Sequence, residues 1–143
     1  MCKIIFLYGK DFLVMPVFNL AIALFLPYLT KSRCSLSELS RIGLHQLAVS
    51  AITQAELYYG AINNVELKKI KKHLGLLHIF SVDVMVSTQF IELMEIYSLS
   101  HKLSIPDALI ASTALVHNID LYTLNFKDFR FIEGLNLHEP PIN

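Results

Sequence analysis

Residues 105–123 read IPDALIASTALVHNIDLYT, and the order of elements inside them decides the fold class. Ile105-Pro106-Asp107 starts a helix that continues through Ala114 to His117, and Asp120–Thr123 follows as a strand. The same alternation runs upstream. Leu47–Ser50 (LAVS) is a short buried strand, and Thr53-Gln54-Ala55-Glu56 has the spacing of a capping box for a helix that runs to Gly60. A lysine-rich helix, Val65–Leu74, stops at Gly75, and His78–Phe80 is a brief strand. Asp83 or Ser81 caps a long helix with Val86, Phe90, Leu93, Ile96 and Tyr97 at helical spacing. Lys127–Phe131 is a turn of helix or a loop, and Leu135–Leu137 a last strand. Short strands alternating with helices predict βαβ units, hence an α/β fold in three layers, α/β/α, around a central, mainly parallel sheet.

The N-terminal third is more apolar. Lys3–Tyr8 and Leu13–Phe18 read as strands, Leu20–Leu29 as a helix stopped near Pro27, and Ser35–Glu38 as a capping box for a helix to Ile42. From Phe12 to Leu29 the sole ionisable side chain is Tyr28, a run close to the ~18–20 residues of a membrane span. Pro16, Asn19 and Pro27 interrupt it, and Lys3, Lys10, Lys31 and Arg33 flank it on both sides, so it has no orientation signal. No small-residue cleavage site closes it. The run is therefore expected to be core, with no membrane partner.

At 143 residues the chain is expected to form one domain over 1–143. A content of 54% hydrophobic and 17% charged residues excludes intrinsic disorder. Twelve basic residues balance twelve acidic ones, so any attraction to nucleic acid must come from a local patch. Cys2 and Cys34 make neither a disulfide framework nor a metal-ligand spacing, which points to a reducing cytoplasm.

In open parallel sheets the working groups gather beyond the carboxyl ends of the strands. The segments after Phe18, after Ser50 and after Thr123, and the helix start at Asp107, supply Asn19, Glu56, Asp107 and Asn125 with Asp128. This oxygen-rich set without His or Cys suits a hard cation, Mg²⁺ or Mn²⁺. Each residue also has a structural reading. Glu56 can cap its own helix through the Thr53 N–H, and Asp107 complements the helix dipole. Asn125 can form an Asx-turn, and Asp128 can be a solvated loop acid. The six histidines are scattered without an i, i+4 pair, against a zinc site. Lys68, Lys69, Lys71 and Lys72 form the concentrated positive patch, either a solvated helix face or a bed for an RNA backbone. Periodicity alone does not choose among these readings.

The segments LAVSAITQAELYYGA and IPDALIASTALVHNIDLYTLNFKDFRFIEGLNL resemble the PIN-domain ribonuclease toxins of the VapC type, the nuclease half of bacterial toxin–antitoxin pairs. The resemblance covers 47–137 and rests on three motifs in order: S-x-I-T-x-A-E-L-x-x-G, P-x-D-x-L-I-A (here Ile105-Pro106-Asp107-Ala108-Leu109-Ile110-Ala111, with Asp directly after Pro), and T-x-N-x-x-D-F. It implies a PIN-like fold and a metal-dependent endoribonuclease in which Glu56 and Asp107 hold Mg²⁺ or Mn²⁺. Asn125 would take the fourth metal position, with Asp128 nearby. The family opens its first strand with an aspartate, in L-D-T-N or L-D-T-S, whereas this chain has Val17-Phe18 and then Asn19. Residues 1–14 have no counterpart. The resemblance thus implies impaired cleavage, which Asn19→Asp or Val17→Asp is expected to restore in part. The alternative is a catalytically inactive PIN-fold protein that binds an antitoxin or itself. Partners implied are an antitoxin encoded nearby, RNA and a second copy, with Ile62, Leu67, Ile70 and Leu74 as the wall of a partner groove.

Overall fold

In a computed structural model, residues 6–8, 47–123 and 125–138 are described. The strand expected at 13–18, the helices at 20–29 and 35–42, and Asn19 lie outside them. Among the described residues five short strands form one sheet: β1 (Phe6–Tyr8), β2 (Leu47–Ser50), β3 (His78–Phe80), β4 (Asp120–Tyr122) and β5 (Leu137–His138), in the order β3-β2-β1-β4-β5. β2 pairs with β3, and β4 with β5, in parallel; β1 runs antiparallel to both β2 and β4. Four strands therefore point one way and the central one points back, so the sheet is mainly parallel as expected. The carboxyl ends of β2 and β4, Ser50 and Tyr122, share one edge. Phe6, the first residue of β1, pairs with Tyr122 there, while Tyr8 pairs with Leu47 and Asp120 at the opposite edge.

The helices among these residues are α1 (Ala51–Tyr59), α2 (Asn64–Leu74), α3 (Val84–Tyr97) and α4 (Ile105–His117). Side chains alternate faces along a strand, and β2 and β4 are buried on both faces. Ala48 and Leu121 enter a core with Leu93, Leu103, Ile110, Phe129 and Ile132. Their neighbours Leu47, Val49 and Tyr122, which point the other way, are equally buried. α4 packs along α3 and touches α1 and β4. Ala108, Ala111 and Ala114 let its backbone approach closely, and the buried hydroxyls of Ser112 and Thr113 donate to the carbonyls of Ala108 and Leu109 at 2.7 and 2.8 Å. They therefore cost little to bury. The helix ends on Asn118 in the left-handed region (φ 50°), a conformation asparagine tolerates better than most residues.

Three expectations are corrected. α1 starts directly after β2, with Ser50 rather than Thr53 as its N-cap: Ser50 Oγ accepts from the Thr53 N–H at 3.0 Å. The earlier start wins because it places Thr53 and Leu57 on the buried side. Ile96 is 61% exposed. At 100° per residue it stands about 90° round the helix from the Val86–Phe90–Leu93–Tyr97 stripe that meets the core. The partner groove is not formed as expected, because Ile70 and Leu74 are buried and Ile62 precedes the helix. Exposed apolar side chains instead cluster at Tyr59, Ile62 and Val65, and on α3 at Val84, Met85 and Ile91. Among the described residues no helix is long and apolar enough to cross a membrane; the Phe12–Leu29 run lies outside them.

Candidate functional site

Glu56 stands in the second turn of α1, half-buried. Its structural reading fails here. The Thr53 N–H that a capping glutamate would take is already bound by Ser50, whose hydroxyl also lies 3.1 Å from Thr53 Oγ1. Glu56 is thus not the capping acid of Thr53.

Asp107 is 7% exposed, in the first turn of α4, and is held by a reciprocal cap. Ser104 Oγ donates to Asp107 Oδ2 at 2.7 Å and accepts the Asp107 N–H at 3.3 Å. A carboxylate in this place is favoured by the helix dipole and by the hydroxyl, so burying it needs no catalytic reason. Ser104 is the residue that reading from Ile105 overlooked; the Ser104-x-x-Asp107 spacing is its signal.

Asn125 and Asp128 meet. Asn125 Nδ2 donates to Asp128 Oδ2, the Asp128 N–H donates to the Asn125 carbonyl, and Thr123 Oγ1 accepts the Asn125 N–H at 3.0 Å. The side-chain turn here is made by Thr123, whose hydroxyl accepts the N–H two residues on, and Asp128 is half-buried rather than a solvated acid. The turn is pinned from below by Phe129, which is fully buried.

The structure therefore places Glu56 and Asp107 on two helices that pack together, and Asn125 with Asp128 in one turn beyond β4. Carboxylate and amide oxygens match a hard divalent cation in kind. In number they fall short: among the described residues no three His, Cys, Asp or Glu side chains converge to hold a metal ion. Among the described residues, β1 is Phe6-Leu7-Tyr8 and carries no acid. These residues do not by themselves close a metal centre.

Lys68, Lys69, Lys71 and Lys72 are all exposed on α2. Asn63 caps this helix through the Glu66 N–H, and Glu66 accepts the Ile62 N–H at 2.8 Å, so its carboxylate closes the helix start. Beneath the lysines His73 is buried, and burial first, then Lys72 and Lys69, holds its imidazole below the ordinary 6.5. The unfolded chain takes up this proton first as pH falls through about 6.5, so folded stability is lost from there down to the lower folded value. The urea midpoint is expected to fall between about pH 7 and pH 5, and less so in His73→Leu. Parallel losses in the two proteins would assign the dependence to other groups.

The PIN domain model matches residues 20–133. The chain belongs to the PIN-domain family. Asn19 lies just outside the matched range. This PIN domain is 32% identical to a chain of VapBC2 from Rickettsia felis, solved with a DNA fragment from its promoter, over 64% of this chain and 72% of that one, with a TM-score of 0.55. It is 26% identical to a chain of a toxin–antitoxin complex from Klebsiella pneumoniae, over 80% and 91% of the two chains, TM-score 0.63. DNA-bound VapBC from Salmonella typhimurium shares the fold at 19% identity, over 79% and 90%, TM-score 0.63. No curated protein sequence matches.

Proposed function

We propose that this PIN domain is the toxin member of a toxin–antitoxin pair, a metal-dependent endoribonuclease whose cleavage is slow because its carboxylate set is one short. The observation that carries the reading is the pair Glu56 and Asp107. By resemblance both fall at the family's motif positions, and they stand on two helices that pack together. The VapBC likeness supports a protein antitoxin as partner. When bound, Mg²⁺ or Mn²⁺ would supply an activated water and charge stabilisation at the phosphoryl oxygens. In the same reading the chain is a single cytoplasmic domain that pairs with itself, and Lys68, Lys69, Lys71 and Lys72 receive the RNA backbone.

A second reading, an inactive PIN-fold protein that binds an antitoxin or a second copy, is favoured by the lack, among the described residues, of three acids that converge. Induced expression in a bacterial host, with and without the small protein encoded beside it, separates the two. Growth arrest is expected that is relieved by Asp107→Asn and by the neighbouring protein, with which the chain co-purifies. Co-purification without arrest would favour the inactive protein. Neither arrest nor co-purification would overturn both.

A further inference from the structure

Outside the carboxylates, the structure gathers three rings between the two segments that carry them. Tyr97 closes α3, His101 lies in the connection to α4 six positions before Asp107, and Phe131 follows Asp128 by three. His101 stacks on Phe131 with centroids 4.1 Å apart and planes at 16°. Tyr97 meets His101 edge-on at 5.6 Å and Phe131 at 5.3 Å.

The group is tied on every side. Tyr97 Oη accepts the Glu133 N–H at 3.1 Å, Ser100 Oγ and His101 Nδ1 are 2.9 Å apart, and the His101 N–H donates to the Tyr97 carbonyl. Buried Leu103 on one segment, and buried Phe129 and Ile132 on the other, anchor both to the core. His101 nevertheless remains exposed. Each of the two stacked residues has an exposed cation beside it in sequence, Lys102 next to His101 and Arg130 next to Phe131. Lys102 sits in the left-handed region at φ 55°, which a side chain with a β-carbon normally avoids.

A pre-ordered, partly exposed aromatic stack whose two residues each adjoin an exposed cation in sequence matches what an unpaired nucleobase and its flanking phosphates require. We infer that the His101–Phe131 stack is a platform for one base of single-stranded RNA, positioned beside the segment leading to Asp107. This rests on the RNA reading above and adds the part of the ligand that is held. A duplex of equal charge offers no free base face and would gain nothing from the rings.

The test is binding of a short single-stranded RNA carrying 2-aminopurine, in EDTA to prevent cleavage. Wild-type protein is expected to quench the probe and to bind it more tightly than a duplex of the same length. His101→Ala is expected to weaken single-strand binding by about tenfold and abolish the quenching, whereas His101→Phe, which keeps a ring, retains both. If wild-type protein binds the RNA but His101→Ala binds it equally with unchanged quenching, the platform is wrong and the RNA reading stands. If wild-type protein binds no RNA, both fall. Circular dichroism of the two variants confirms that they fold.

Discussion

Phe129→Ala is expected to destabilise the protein by about 3–5 kcal/mol, a large share of the ~5–15 kcal/mol of a typical domain. Phe129 is fully buried and packs with Leu121 of β4, Leu103 before α4 and Ile132 after it in sequence. Truncation removes the ring's transfer energy and leaves a cavity that β4 and α4 cannot both close. For a chain of this size the melting temperature should fall by about 10 °C or more. Tyr59→Ala, at a residue 94% exposed, should stay within about 0.5 kcal/mol and serves as the control. The cavity would also sit under the Asn125–Asp128 turn. A cost below about 1 kcal/mol for Phe129→Ala would mean that the segment after β4 is not packed as described.

Most elements from residue 47 onward are legible because a strong local signal bounds them; the last strand, expected at Leu135–Leu137, is found at Leu137–His138, where no such signal stands. Leu47–Ser50 is all apolar to its last residue and is buried on both faces; Asp83 caps α3; Asn118 ends α4. The misplaced start of α1 has a simple cause. Ser50-x-x-Thr53 and Thr53-x-x-Glu56 are overlapping capping spacings, and choosing between them depends on what Thr53 and Leu57 bury against, which no local rule contains. Ile70 and Leu74 read as a groove wall for the same reason: an apolar stripe is evident in sequence, but whether it meets the protein's own core or a partner is a tertiary fact.

The direction of β1 was beyond such reading. Phe6-Leu7-Tyr8 is a good strand in either sense, and pairing direction is decided by how the chain enters the sheet. At the site, residue types at the motif positions were readable while their partners were not. Asn125 with Asp128, and Ser104 with Asp107, are pairs three residues apart whose bonding follows from turn geometry. The aromatic contact of His101 with Phe131 joins positions thirty apart. Nothing in composition or period marks it.

Calorimetric titration of the unmodified chain with Mn²⁺ is expected to show binding at about the millimolar level or weaker. A divalent cation and a carboxylate about 4 Å apart attract by roughly 8 kcal/mol at an effective dielectric of ~20, before desolvation takes most of it back. Each missing charge therefore matters more than any neutral ligand can replace. In the proposed reading Glu56 and Asp107 are the two carboxylates that hold the cation, and Asn125 offers an amide oxygen while its Nδ2 is bound to Asp128. Glu56→Gln or Asp107→Asn should flatten the isotherm, and Asp107→Asn should do so without unfolding the protein, since an amide can still accept from Ser104. Asn19→Asp supplies the charge that the family carries on its first strand and should raise Mn²⁺ affinity at least about tenfold, a gain that Asp107→Asn then removes. Unchanged affinity in Asn19→Asp would mean that Asn19 does not reach the edge shared by Ser50 and Tyr122, where Phe6 is the nearest described residue of the central strand. Tight Mn²⁺ binding by the unmodified chain would overturn the deficit itself and show that another acid completes the site.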